Sequence, residues 1–257
     1  MIPYDIITAW SYTHAWSTRE QVEQDLLLSQ AICEISNDDI LGSELVLRGG
    51  TCFHKLFLPK PYRYSEDLDY VRTTQSGIAE ITKRLTEIGK SLGYSVRTKI
   101  GMYPKIYYRS STQTGLPLSI KIEINTYERS PALPLAHIEH IVDSDWYQAT
   151  SHIKTFQPEE LIATKIRALY QRSKGRDLYD MWLALSVLEL DPYLILEAFA
   201  PYRPDGFTSK LAIHNLEKKL TNPDFRNDII PLVTGADDDY DTDAAGLIVI
   251  ENLLSHL

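Results

Sequence analysis

Two acids two residues apart, Asp67 and Asp69, are the pair in this chain best spaced to do chemistry. On a strand, residues two apart point to the same face. Two ionised carboxylates about 4 Å apart repel by roughly 4 kcal/mol at an effective dielectric near 20. A fold tolerates that when a divalent cation sits between them, or when one acid stays protonated. Upstream, Gly49-Gly50-Thr51 forms a turn whose backbone N–H groups carry little steric cover, a cradle suited to phosphate. Each half has an ordinary reading, since Gly-Gly is commonly a plain turn and Asp-x-Asp a frequent surface pattern. The two in order, with Arg63 and Ser65 leading into the acids, point to a site that handles nucleotides and metal.

The elements that must position these residues follow from periodicity. The apolar run Leu45-Val46-Leu47 enters the Gly-Gly-Thr turn, and a short helix from Cys52 to Leu58 should follow. A loop bracketed by Pro59 and Pro61 leads into the strand carrying Asp67 and Asp69, which continues to about Arg72. Residues 18 to 36 read as a helix, with Ser17 and Glu20 as a capping box. Ile78, Ile81, Leu85, Ile88 and Leu92 form a second helical stripe closed by Gly93. Tyr94 to Ile100 and Lys105 to Ser110 read as strands, and Thr114-Gly115 as a hairpin turn. Leu118 to Asn125 alternates most clearly: Leu118, Ile120, Ile122 and Ile124 share one face, and Ser119, Lys121, Glu123 and Asn125 the other. That polar face is a solvated one unless Glu123 joins the two aspartates as a third acid.

Residues 130 to 156 look irregular and read as a crossover between two lobes. His137 and His140 lack the other two ligands of a tetrahedral zinc site, so a packing or surface role is expected. Pro158, Glu159 and Glu160 open a helix that should reach about Arg172. Lys165 projects from its mainly apolar stripe, either snorkelling to water or serving a site. Gly175 breaks the helix, and Arg176-Asp177-Leu178-Tyr179-Asp180 opens the next. Beyond it the chain reads as helical, punctuated by prolines.

Composition sets the outer bounds. The 257 residues can bury a substantial core, and 44% hydrophobic with 24% charged residues is ordinary for a globular protein. A formal charge of −9 does not describe a protein that holds nucleic acid by bulk attraction. No apolar run nears the ~18 residues of a membrane span, and no secretion signal is evident. A cytoplasmic location, with Cys33 and Cys52 as reduced packing residues, is the expectation. The acidic run from Asp237 to Asp243 reads as a solvated loop. There is no Walker A loop, no His-Glu-x-x-His and no Gly-x-Ser-x-Gly.

Gly49-Gly50-Thr51 followed by Arg63-Tyr64-Ser65-Glu66-Asp67-Leu68-Asp69 resembles the signature of the AbiEii/AbiGii toxins, nucleotidyltransferase-like proteins of type IV toxin–antitoxin and abortive infection systems. Lys165-Ile166-Arg167-Ala168-Leu169 with Arg172-Ser173-Lys174-Gly175-Arg176-Asp177 resembles that family's second motif, so the likeness spans about Leu45 to Leu185. It implies an α/β fold, a mixed sheet flanked by helices over residues 1–150, then a helical C-terminal lobe over 151–257 facing it across a cleft. It implies Mg²⁺, with Mn²⁺ as the other candidate ion, held by Asp67, Asp69 and Glu123. Asp67, Asp69, Lys165 and Asp177 would form the catalytic set, with Gly50, Thr51, Ser65, Arg172 and Lys174 binding nucleotide. The reaction implied is NMP transfer from an NTP to RNA, at the tRNA 3′ end, with a cognate antitoxin as partner. Transfer to a protein hydroxyl, or a non-catalytic nucleotide-binding module, are the alternatives.

Overall fold

The structure, a computed structural model, describes residues 2–234 and 240–257. Its chain divides into two units, Met1–Ser130 with Leu135–Phe156, and Pro131–Pro134 with Gln157–Leu257. The expected division at residue 150 therefore falls inside a strand of the first unit.

In the first unit, helices α1 (Tyr4–Ser11), α2 (Arg19–Asn37) and α3 (Asp39–Glu44) precede strand β1 (Leu45–Arg48). Helix α4 (Gly49–Leu56) follows without a break, then β2 (Asp67–Arg72), α5 (Ala79–Ser91), β3 (Ser95–Lys99), β4 (Lys105–Ser111), β5 (Pro117–Asn125), β6 (Ala136–Ser144) and β7 (Tyr147–Thr155). The strands form one mixed sheet in the order β3-β4-β5-β2-β1-β7-β6. β2 pairs with β5 in parallel and β1 with β7 in parallel, and the remaining neighbours run antiparallel. The mixed α/β sheet with flanking helices expected from the sequence is present.

Register decides what the sheet presents. On one face Leu68, Ile122 and Ile106 stand side by side and are fully buried. α2 and α5 pack against these strands and supply Leu26, Leu28, Ile81 and Leu85 to the same core. Burying each such side chain contributes about 1.5–3 kcal/mol, so a one-residue slip, which would turn this row outward, is strongly disfavoured. The polar residues are thereby committed to the opposite face.

Three local expectations are corrected. α2 is capped by Thr18, not Ser17: Thr18 accepts from Gln21 N, the Gln21 side chain returns to Thr18 N, and Glu20 instead accepts from Thr114 at 3.0 Å. α4 begins at Gly49 rather than Cys52, since Arg48 is already extended and forms its cap. Residues 130–156 are no irregular crossover but hold the β6–β7 hairpin, registered from Ala136↔Thr155 to Ser144↔Tyr147. β6 sits at the sheet edge and alternates half-exposed with exposed residues, with Val142 alone buried, so no run of core residues marks it. Cys33 and Cys52 are buried free thiols.

The second unit is helical among its described residues: α6 (Pro158–Gln171), α7 (Gly175–Ser186), α8 (Pro192–Phe199), α9 (Ser209–Leu220), α10 (Pro223–Asn227) and α11 (Thr242–Asn252). Buried Glu160 fastens the Pro131–Pro134 segment to α6, accepting from Ala132 N at 2.7 Å, Leu133 N at 3.0 Å and Tyr202 Oη at 2.5 Å. Of the acidic run, residues 237–239 lie outside the described residues, so its solvated-loop reading falls there. Asp241 caps α11 through Ala244 N, and Asp243 pairs with Arg226.

Candidate active site

Opposite the apolar face of the sheet, a row of charge crosses four strands. Arg48 of β1 stands beside Asp69 of β2, Asp69 beside Glu123 of β5, and Glu123 beside Lys105 of β4. One pair along, Asp67 stands beside Lys121. Asp67 and Asp69 thus share a face, as their spacing required, and sheet register sets Glu123 beside Asp69 on that face.

The cations of this row are engaged. Lys121 Nζ lies 2.7 Å from Asp67 Oδ2 and 3.7 Å from Glu123 Oε2, and Lys105 Nζ lies 3.0 Å from Glu123 Oε2. Arg48 reaches Glu128 at 2.6 Å, which also accepts from Asn125 at 3.0 Å. Among the described residues Asp69 has no such partner at close range. Desolvation pushes its carboxyl above the usual range, and the neighbouring Asp67 and Glu123 charges add to this against Arg48 and Lys121. Lys121 is held above its ordinary value: burial opposes its charge, but the hydrogen bond to Asp67 and the surrounding acids outweigh it.

Do these residues fit a divalent cation? Asp67 and Asp69 offer hard oxygen ligands on one face, Asp69 beside the Gly49 turn, which suits a hard divalent ion. Glu123 is taken by the two lysines, and among the described residues no three His, Cys, Asp or Glu side chains group as metal ligands. The aspartate pair fits; the carboxylate triad is not assembled. Lys105 and Lys121 are the reason, the second of them read from the sequence as part of a solvated face.

The Gly-Gly turn is built against these acids. Gly49 has φ +81°, and a Cβ there would meet Asp69 Oδ2 at 2.6 Å. A Cβ on Gly50 would collide with the Arg63 guanidinium and come within 3.2 Å of Ser65 Oγ. Only glycine lets the start of α4 approach the acids and Arg63 so closely. Thr51 is buried, its hydroxyl donating to the Asp67 carbonyl at 2.6 Å and lying 2.9 Å from Ser65 Oγ. Its side chain ties the turn to the start of β2.

In the helical unit the second motif forms a cluster of its own. Lys165 does not snorkel: only 7% exposed, its Nζ lies 3.0 Å from Asp177 Oδ1 and 2.8 Å from Asp180 Oδ2. Asp177 also takes two bonds from Arg172, at 2.7 and 2.8 Å, while the Arg172 side chain stays half exposed. Burial alone would raise the Asp177 carboxyl, but Lys165 and Arg172 hold it below its ordinary value. Lys174 and Arg176 both reach Asp228, at 3.3 and 2.9 Å, and these bonds draw its carboxyl down to about 2 despite partial burial. The basic stretch from Lys165 to Arg176 is thus largely matched by acids from α7 and Asp228. Lys219 donates to the Leu169, Tyr170 and Arg172 carbonyls at the end of α6, and burial lowers its ammonium to about 8.

Sequence reasoning missed Arg48, Lys121, Asp180 and Asp228 as members of these clusters. Asp180 carried a local signal, three residues after Asp177 and so on one helix face with it. The others are brought in by sheet register or by a distant helix.

A mixed sheet with an Asp-x-Asp strand beside a Gly-Gly turn that enters a helix defines a nucleotidyltransferase-type protein. MenT4, a nucleotidyltransferase toxin from Mycobacterium tuberculosis H37Rv, shares this fold: TM-score 0.65 at 17% identity, over 100% of this chain and 91% of that one. An antigenic nucleotidyltransferase-like protein from Paracoccidioides brasiliensis aligns more distantly, at TM-score 0.40 and 18% identity, over 88% of this chain and 99% of that one. No curated protein sequence matches the chain. The family model for the nucleotidyl transferase AbiEii toxin of type IV toxin–antitoxin systems matches residues 31–247, and the chain belongs to that family. Membership implies a nucleotide substrate and a cognate antitoxin. No described helix is long and apolar enough to cross a membrane.

Proposed function

We propose that this toxin transfers NMP from an NTP to the 3′ end of tRNA in a Mg²⁺-dependent reaction that blocks translation. The observation that carries the reading is the placement of Asp67 and Asp69 on one face, against a Gly49–Gly50 turn too tight for any side chain. Asp67 and Asp69 would hold the metal, with Glu123 joining once Lys105 and Lys121 release it. Mg²⁺, or Mn²⁺, would supply charge neutralisation and activation of the acceptor hydroxyl. Backbone N–H groups at Gly50 and Thr51, with Ser65 beside them, are assigned to the phosphates.

In the helical unit Asp177 and Asp180 would fix the Lys165 ammonium, a preorganised positive charge for the developing phosphate charge. Arg172 is bidentate to Asp177 yet half exposed, so its guanidinium is both oriented and presented for phosphate. Lys174 is assigned the RNA end. With most of the basic stretch matched by acids, contacts to RNA phosphates would be few, favouring an RNA end over a long duplex.

Incubating the protein with total RNA, Mg²⁺ and each labelled NTP in turn tests this. Label is expected at the tRNA 3′ end, and Asp67→Asn with Asp69→Asn should abolish it while leaving a cooperative fold. Label on protein alone would overturn the RNA acceptor. Label on no acceptor would overturn the transfer reaction.

A further inference from the structure

The first unit contains a cavity of about 560 Å³, of which the reaction outlined above uses only the end at Thr51 and Ser65. It lies within the ~300–1,000 Å³ typical of small-molecule sites. One side carries the Trp10–His14 pair, rings stacked face to face at 4.1 Å and tilted by only 3°, an aromatic wall whose outer ring face can take a further flat group. Another is formed by Thr51, Arg63 and Ser65, the residues that pack around the Gly50 turn. The cavity therefore runs from an aromatic wall to the cradle assigned to phosphate.

Its polar groups select against a charged guest deep inside. Asp25, 2% exposed, is already satisfied by Lys55 at 2.8 Å and Trp10 Nε1 at 3.0 Å, and Lys55 donates to Ser29 as well. By contrast, His140 Nε2 and Trp16 Nε1 are buried without a hydrogen-bond partner among the described residues. Orphaned polar atoms of this kind cost stability unless a ligand or water meets them. Burial lowers both His14 and His140 to about 4, so both rings are neutral near pH 7. A neutral imidazole offers one donor and one acceptor, which suits the edge of an uncharged heterocycle.

A flat wall for stacking, unmatched polar atoms and a passage toward phosphate-binding groups describe a nucleotide. We propose that this cavity is the nucleoside subsite of the donor NTP, the base stacking on the Trp10–His14 wall and meeting His140. This rests on the nucleotidyltransferase reading for the phosphate end. Bases stack on aromatic walls irrespective of identity, whereas hydrogen bonds at the edge discriminate among them. Base preference would then depend on His140.

The test uses the full chain and the four free nucleosides, which carry no phosphate and so report on the cavity alone. Binding is read by tryptophan fluorescence and by saturation-transfer NMR, without metal. One nucleoside should bind the parent, and His14→Ala should weaken it roughly tenfold or more, the scale of losing one base–aromatic contact. Because His14 is partly buried, Ile141→Trp provides a second variant: Ile141 is an exposed residue of β6 at the rim, where added bulk blocks entry with little demand on the fold. It should reduce binding comparably with an unchanged unfolding temperature, and His140→Leu should flatten the preference among the nucleosides. If the parent binds none, or both blocking variants bind like the parent, the subsite is refuted, even if labelled nucleotide is still transferred to RNA. If nucleosides bind and Ile141→Trp excludes them while no acceptor is ever labelled, the subsite stands and the transfer reading falls.

Discussion

Replacing Lys121 by Met should weaken the metal-free protein and at the same time tighten its hold on Mg²⁺. Lys121 is the cation shared by Asp67, at 2.7 Å, and Glu123, at 3.7 Å. At 2.7 Å the attraction is about 1.5 kcal/mol in water and about 6 kcal/mol at an effective dielectric of 20. The side chains of Lys121 and Asp67 are 29% and 39% exposed, so solvent screening places the pair between these limits, at about 3 kcal/mol. Subtracting the entropy of ordering the lysine leaves about 1–2 kcal/mol. Lys121→Met should therefore lower the unfolding temperature by about 2–8 °C for a chain of this size. A divalent ion that binds the aspartates must first separate them from Lys121, and the Met variant removes that competition. The same 1–2 kcal/mol should then appear as roughly five- to thirtyfold tighter Mg²⁺ binding. Thermal unfolding across a Mg²⁺ titration, with calorimetry for the affinity, reads both effects. Unfolding at the parent temperature together with an unchanged Mg²⁺ midpoint would show that Lys121 does not hold these acids.

Lys165→Met leaves Asp177 and Asp180 buried with one cation fewer, so it should cost about 3 kcal/mol or more in urea unfolding, and Lys165→Met with Asp180→Asn should recover part of it. A parent-like midpoint for Lys165→Met would contradict the buried pairing. Asp228 has a carboxyl drawn down to about 2 from 3.8, so its pairing stabilises fully above about pH 4 and is lost as pH falls through 2. Asp228→Asn should accordingly destabilise at neutral pH and flatten the stability profile between pH 4 and 2. An acid limb identical to the parent's would place the stabilisation elsewhere.

What the sequence determined by itself is local. A helix, a strand or a turn is set by residues a few positions apart, so β2, β5, α5 and α6 with its end near Arg172 were legible from periodicity and punctuation, whereas Gly175 opens α7 instead of breaking a helix. Asp67 and Asp69 share a face for the same reason. Where local signal is thin it failed: β6 at a half-exposed edge carries no core stripe, and Thr18 and Ser17 are equally good caps by type. The tertiary structure alone decided how charge is shared. Lys165 on an apolar stripe is a snorkelling residue or a buried one according to whether α7 brings Asp177 and Asp180 to its tip. Glu123 is a third metal ligand or a lysine partner according to a sheet register that sets Lys105 and Lys121 beside it. Lys174 and Arg176 are an open basic patch or a matched one according to where Asp228, more than fifty residues on, is folded. Charges interact through space over a few ångströms, and chain distance does not encode that separation. The acids could therefore be named from sequence, but their partners could not.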